Sequence, residues 1–86
     1  MTNEISETYV LDLSNTSLKT VPESILKYSN LRELDLSTNE LTVLPEFLTQ
    51  FEHLEVLKLR NNKIKEAPSL ILRFKKLKSL YTLIYK

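Results

Sequence analysis

"LRELDLSTNELTVLP", residues 31–45, holds an uneven leucine spacing that matches no single regular element. Its leucines, Leu31, Leu34, Leu36, Leu41 and Leu44, are spaced three, two, five and three apart. A helix repeats its faces every 3.6 residues and a strand every two, so neither alone produces those intervals. The same spacing returns further along in "LEVLKLRNNKIKEAP", through Leu54, Leu57, Leu59, Asn62, Ile64 and Pro68. It also stands at an equal distance before, in "TYVLDLSNTSLKTVP", through Leu11, Leu13, Thr16, Leu18 and Pro22. Pro22, Pro45 and Pro68 are evenly spaced and set the period. After each proline an apolar residue recurs at every third place: Ile25, Tyr28, Leu31; Leu48, Phe51, Leu54; Ile71, Phe74, Leu77. A fixed interval kept across this many positions marks a stack of like units. Each unit buries its apolar side on its neighbours.

The positions resemble the template of leucine-rich repeat proteins, L-x-x-L-x-L-x-x-N-x-L. With the following L-P-x-x-L-x-x-L-x-x-L, they are similar to the intracellular 23-residue class found in Ras-pathway scaffolds and related signalling adaptors. Residues 9–77 carry the resemblance. It implies an α/β repeat fold: a short leucine-rich repeat solenoid with a parallel β-sheet on the concave face and 3₁₀ or short helical segments on the convex face. The expected organisation is one domain over 1–86. It has an N-terminal cap at 1–8, repeats at 9–31, 32–54 and 55–77, and a truncated fourth repeat at 78–86.

Within a unit, L-x-L is short and alternating and reads as a strand. Leu34 and Leu36 point inward, while Glu33, Asp35 and Ser37 point outward. Pro22, Pro45 and Pro68 open the segments on the other side, where proline suits the first turn of a helix because its missing N–H has no partner there. The three-residue spacing behind each proline suits a 3₁₀ or helical turn facing the core. The resemblance implies that Asn39 and Asn62 form a structural ladder, bonding backbone groups of their own turn and of the adjacent repeat. Thr16 holds that place in the first repeat, where a hydroxyl does part of the same work more weakly.

Charge is nearly balanced overall, but the halves differ. Residues 1–46 carry eight acids against three bases, net −5, and residues 47–86 carry nine bases against three acids, net +6. The molecule is expected to be electrically polarised along its stacking axis. There is no cysteine, which excludes a disulfide-stapled secreted module. The opening "MTNEISETYV" has no signal-peptide apolar run. No stretch approaches the ~20 apolar residues of a membrane span. These features predict a soluble, cytoplasmic protein.

The residues that carry chemistry do not assemble into a reaction centre. His53 is the only histidine and has no Cys or carboxylate at ligand spacing, so no metal site is expected. No nucleophile–base–orienter set forms around it. Asp12 and Asp35 are equivalent residues of neighbouring strands, expected about 4.8 Å apart, and follow from repetition of "LDLS" rather than from acid–base design. The absence of glycine argues against a phosphate loop. The basic run "RFKKLKSLYTLIYK" reads as the solvated side of a repeat, so neither nucleic acid nor membrane is an expected partner. The chain is expected to be no enzyme and to need no cofactor.

Binding is expected on the open side of the sheet. Its outward residues form columns: Val10, Glu33, Val56, Ser79; then Asp12, Asp35, Lys58, Tyr81; then Ser14, Ser37, Arg60, Leu83; then Asn15, Thr38, Asn61, Ile84. The expected protein-binding residues are Glu33, Asp12, Asp35, Val56, Lys58, Arg60 and Tyr81. Tyr and Arg are among the commonest hot-spot residues. A lesser apolar surface is expected on the convex side at Phe47, Leu70, Leu26 and Leu72. At the C-terminus, Leu80, Leu83 and Ile84 form an edge that invites pairing. Self-association through it, docking onto another chain, and membership of a longer array stay open. The leading function is a non-enzymatic adaptor or regulator binding a protein. The alternatives are a capping or assembly piece and the recognition subunit of an enzyme complex.

Overall fold

A computed structural model of the protein describes residues 7–65, 70 and 73–76. Three short strands, β1 (Val10–Asp12), β2 (Glu33–Asp35) and β3 (Val56–Lys58), pair in parallel in the order β1-β2-β3. The register is the repeat itself: Val10, Glu33 and Val56 stand side by side, as do Leu11, Leu34 and Leu57, and Asp12, Asp35 and Lys58. Backbone bonds extend the pairing past the strands. Leu13 N donates to Asp35 O at 2.8 Å, and Leu36 N to Lys58 O at 2.8 Å. The return half of each unit is tied too, through Glu40 N to Leu18 O and Lys63 N to Leu41 O.

Parallel neighbours need a crossover connection. Here a 3₁₀ turn supplies part of it, at Glu23–Lys27 and at Glu46–Gln50. The apolar spacing of three has a direct cause in these turns. Ile25 N donates to Pro22 O, Tyr28 N to Ile25 O, and Leu31 N to Tyr28 O, at 3.0–3.3 Å. Leu48 N and Phe51 N repeat the pattern on Pro45 O and Leu48 O. Three residues per turn keep positions i, i+3 and i+6 on one face, which is why Ile25 and Leu31 are both buried.

The prolines sit one place earlier than the sequence reading puts them. Pro22 (φ −71°, ψ 133°) and Pro45 (φ −74°, ψ 146°) are extended N-cap residues, not first-turn residues. The φ that the ring imposes fits the extended basin as well as the helical one, and the proline carbonyl accepts the first bond of the turn.

The core lies between the sheet and the 3₁₀ turns. Leu31, Leu34, Leu36, Leu41, Leu48, Leu54 and Leu57 have no exposed surface. Each contributes about 1.5–3 kcal/mol by leaving water. The first repeat is less covered, and Leu11, Leu13 and Leu18 are half-buried against the same cluster. On the side of the 3₁₀ turns the expected apolar surface is smaller than the sequence suggests. Leu70 is buried at 8% exposure, and Leu26 and Phe47 pack partly against the core. The expectations for Leu72, Tyr81, Leu80, Leu83 and Ile84, for the fourth repeat at 78–86, and for residues 1–6 of the cap fall outside the described residues.

Candidate protein-binding face

The pleat turns alternate strand residues away from the core, and the in-register stack lines them up. The row Asp12–Asp35–Lys58 places two acidic residues and one basic residue in register on neighbouring strands, whose backbones are spaced about 4.8 Å apart. Each carboxylate is held by the serine two residues on. Asp12 Oδ1 accepts from Ser14 Oγ at 2.6 Å and Ser14 N at 2.9 Å, and Asp35 Oδ1 accepts from Ser37 N at 2.9 Å. The Ser14 hydroxyl above all, then its amide, and lastly the charge of Lys58 hold the Asp12 carboxyl below its ordinary range. Lys58 Nζ reaches diagonally to Glu33 Oε2 at 3.3 Å, with both side chains about one-third exposed (31% and 32%). Glu33 stands between Val10, which is 59% exposed, and Val56, which is half-buried. Arg60 lies beyond the strand end and is exposed.

Below this face, the turn after each strand is stitched by an amide. Asn39 Nδ2 donates to Leu36 O and Ser37 O of its own turn and to Leu13 O of the previous repeat, at 2.9–3.2 Å. Its Oδ1 accepts from Leu18 N at 2.8 Å and from Thr16 N at 3.1 Å. Asn62 copies this on Leu59 O, Arg60 O, Leu36 O and Leu41 N. Both asparagines are buried, at 7% and 5% exposure. Thr16 closes its own turn by donating from Oγ1 to Leu13 O at 2.7 Å. The residue before each ladder position is left-handed: Asn15 (φ 60°), Thr38 (φ 55°) and Asn61 (φ 59°).

The family model for leucine-rich repeats matches residues 6–64. This chain belongs to the leucine-rich repeat family. Among solved structures it is similar to the leucine-rich repeat protein LIC12759 of Leptospira interrogans, at 25% identity and a TM-score of 0.41. That match covers 85% of this chain and 30% of the other, so the chain spans under a third of its length. No curated protein matches.

The leucine-rich repeat stack thus brings Asp12, Glu33, Asp35, Val56 and Lys58 onto one surface with Arg60 at its margin. Tyr81, expected to end the row, lies outside the described residues. Among the described residues no three Asp, Glu, His or Cys side chains gather as a metal site, and no helix is long and apolar enough to cross a membrane.

Two features escaped the sequence reading. The Asp–Ser clamps were legible as D-x-S at both strand ends, because a short acidic side chain bonds the backbone two residues on. The second is an open cleft lined by Tyr9, Asn30, Arg32 and His53. Tyr9 and Arg32 are one repeat apart, as are Asn30 and His53. Their adjacency follows from the repeat, but these positions precede the strands and were not counted as a column.

Proposed function

We propose that this domain is a non-enzymatic, intracellular protein-interaction module, an adaptor or regulator that grips a partner on the open side of its sheet. Leucine-rich repeat proteins are typically interaction modules of this kind, and they generally bind proteins. One observation carries the reading: a continuous outward surface from Val10 to Arg60 that mixes exposed apolar, acidic and basic groups on a rigid ladder. Rigid backbone lowers the ordering cost of binding. Internal pairing of Lys58 with Glu33 leaves Asp12, Asp35 and Arg60 as the groups that select a partner by charge.

The test is affinity capture with the whole chain, comparing wild type with the combined R60E and Y81A variant. The expected result is a protein retained by wild type and lost by the variant, with an unchanged circular dichroism spectrum. Equal retention by both would refute the sheet as the docking surface. A cytoplasmic location belongs to the same reading and is supported by a core built without cysteine. Imaging of a tagged chain checks it.

A further inference from the structure

The cleft beside the strand entrances holds about 240 Å³ and is lined by Tyr9, Asn30, Arg32 and His53, with none of the outward sheet residues among them. Its frame is fixed by backbone. Tyr9 O accepts from Arg32 N at 2.7 Å and from Glu33 N at 2.9 Å. The Arg32 guanidinium lies over the Tyr9 ring, 5.2 Å from its centroid. Among the described residues no carboxylate is within salt-bridge reach of it. That is unusual in a half of the chain carrying eight acids and three bases.

Three properties decide what fits there. A guanidinium presents a planar fork of N–H donors that matches an oxyanion in bidentate geometry. Stacking on Tyr9 holds that fork in place before any ligand arrives, which reduces the ordering cost of binding. Asn30 and His53 add an amide and an imidazole to a lining that is mostly polar. The volume is below the ~300–1,000 Å³ of ordinary small-molecule pockets. An open polar cleft of this size suits one side chain of a docked partner better than a free metabolite.

We propose that the cleft receives a carboxylate side chain from an acidic segment of a protein partner, with Arg32 as the anchor. The four lining residues precede the strands and none belongs to the outward columns of the sheet, so the proposal stands whether or not that face binds anything.

The experiment is an amide NMR titration of the full chain with an octaglutamate peptide, and separately with inorganic phosphate at equal ionic strength. The expected peptide shifts centre on Tyr9, Asn30, Arg32 and His53. Binding weakens at least tenfold in R32Q, and also in R32K, which keeps the charge and loses the fork. It weakens several-fold in Y9L and is unchanged in K19Q, at an exposed lysine outside both surfaces. Spectral dispersion shows that each variant is folded, and R32K decides the matter if R32Q is not. Binding by R32Q and R32K within twofold of wild type overturns the proposal. So do shifts that instead follow Lys58 and Arg60. Inorganic phosphate that produces the same shifts and displaces the peptide overturns the assignment to a partner's carboxylate.

Discussion

The side-chain oxygen of Asn39 accepts the backbone N–H of Leu18 at 2.8 Å, joining residues 21 apart in sequence and one repeat apart in space. The same amide group also donates to Leu13 O and Leu36 O. One buried side chain therefore satisfies backbone groups of two repeats that have no water to turn to. Leaving a buried polar group unpaired costs about 1–3 kcal/mol. Asn39→Ala strands several, so a loss of roughly 3 kcal/mol or more is expected in urea denaturation. Thr16→Val removes the hydroxyl's bonds to Leu13 O in its own turn and to Asn39 Oδ1 of the next repeat, while Asn39 keeps its backbone partners, so about 1–2 kcal/mol is expected. A smaller loss for N39A than for T16V would contradict the ladder as the link between repeats.

Thr38 sits at φ 55°, where a β-branched side chain is strained. The equivalent residues Asn15 and Asn61 are of the type that tolerates this region. Thr38→Asn is expected to stabilise by about 1 kcal/mol, the low end of the cost of such backbone outliers. Its Tm rises while the sheet register is kept. The matching change at Asn15, to Thr, is expected to destabilise. If both substitutions shift Tm in the same direction, the strain argument fails.

Most of the fold was legible because a constant repeat period fixes register outright. Once Leu34 and Leu57 are equivalent, their strands must pair in step. The inward residues and the ladder asparagines follow from that single fact. What the period did not reveal is what happens between side chains of different columns. Lys58 reaches Glu33 on the diagonal, while Asp35, its in-register neighbour, accepts from Ser37 N. Arg32 meets Tyr9 rather than an acid for a similarly local reason: the strand entrance places that ring one repeat before it. The capping prolines were misplaced by one position because their dihedral fits two basins. Leu70 was expected at the surface by analogy with Phe47, yet it is buried.

Burial grades along the stack, and stability should grade with it. Leu36 has no exposed surface, whereas its counterpart Leu13 in the first repeat is half-buried. Leu36→Ala removes both transfer energy and packing, for about 3–5 kcal/mol. Leu13→Ala is expected to cost about 1–2 kcal/mol, since less surface is re-exposed. For a domain this size, with roughly 5–10 kcal/mol in total, L36A is expected to sit near the edge of folding at 37 °C. Denaturant midpoints measure both. Equal losses would mean that the first repeat is covered in solution as fully as the second.

The Asp12 carboxyl is held low in the folded chain chiefly by the Ser14 hydroxyl. Unfolding breaks that bond and returns the group to the ordinary aspartate value of about 3.9. A depressed folded value means that the unfolded chain binds a proton first. The stabilisation is therefore complete above pH ~4 and fades as pH falls from there through the folded value. Asp12 is fully exposed, so the effect on stability is small, and the sharper readout is the titration itself. Carboxylate NMR should place Asp12 below the unperturbed value in wild type, with S14A moving it upward. Lys58→Met should move it upward by less, because the distant charge is the weaker cause. A larger response to K58M than to S14A would mean that charge across the sheet, not the local clamp, sets this group.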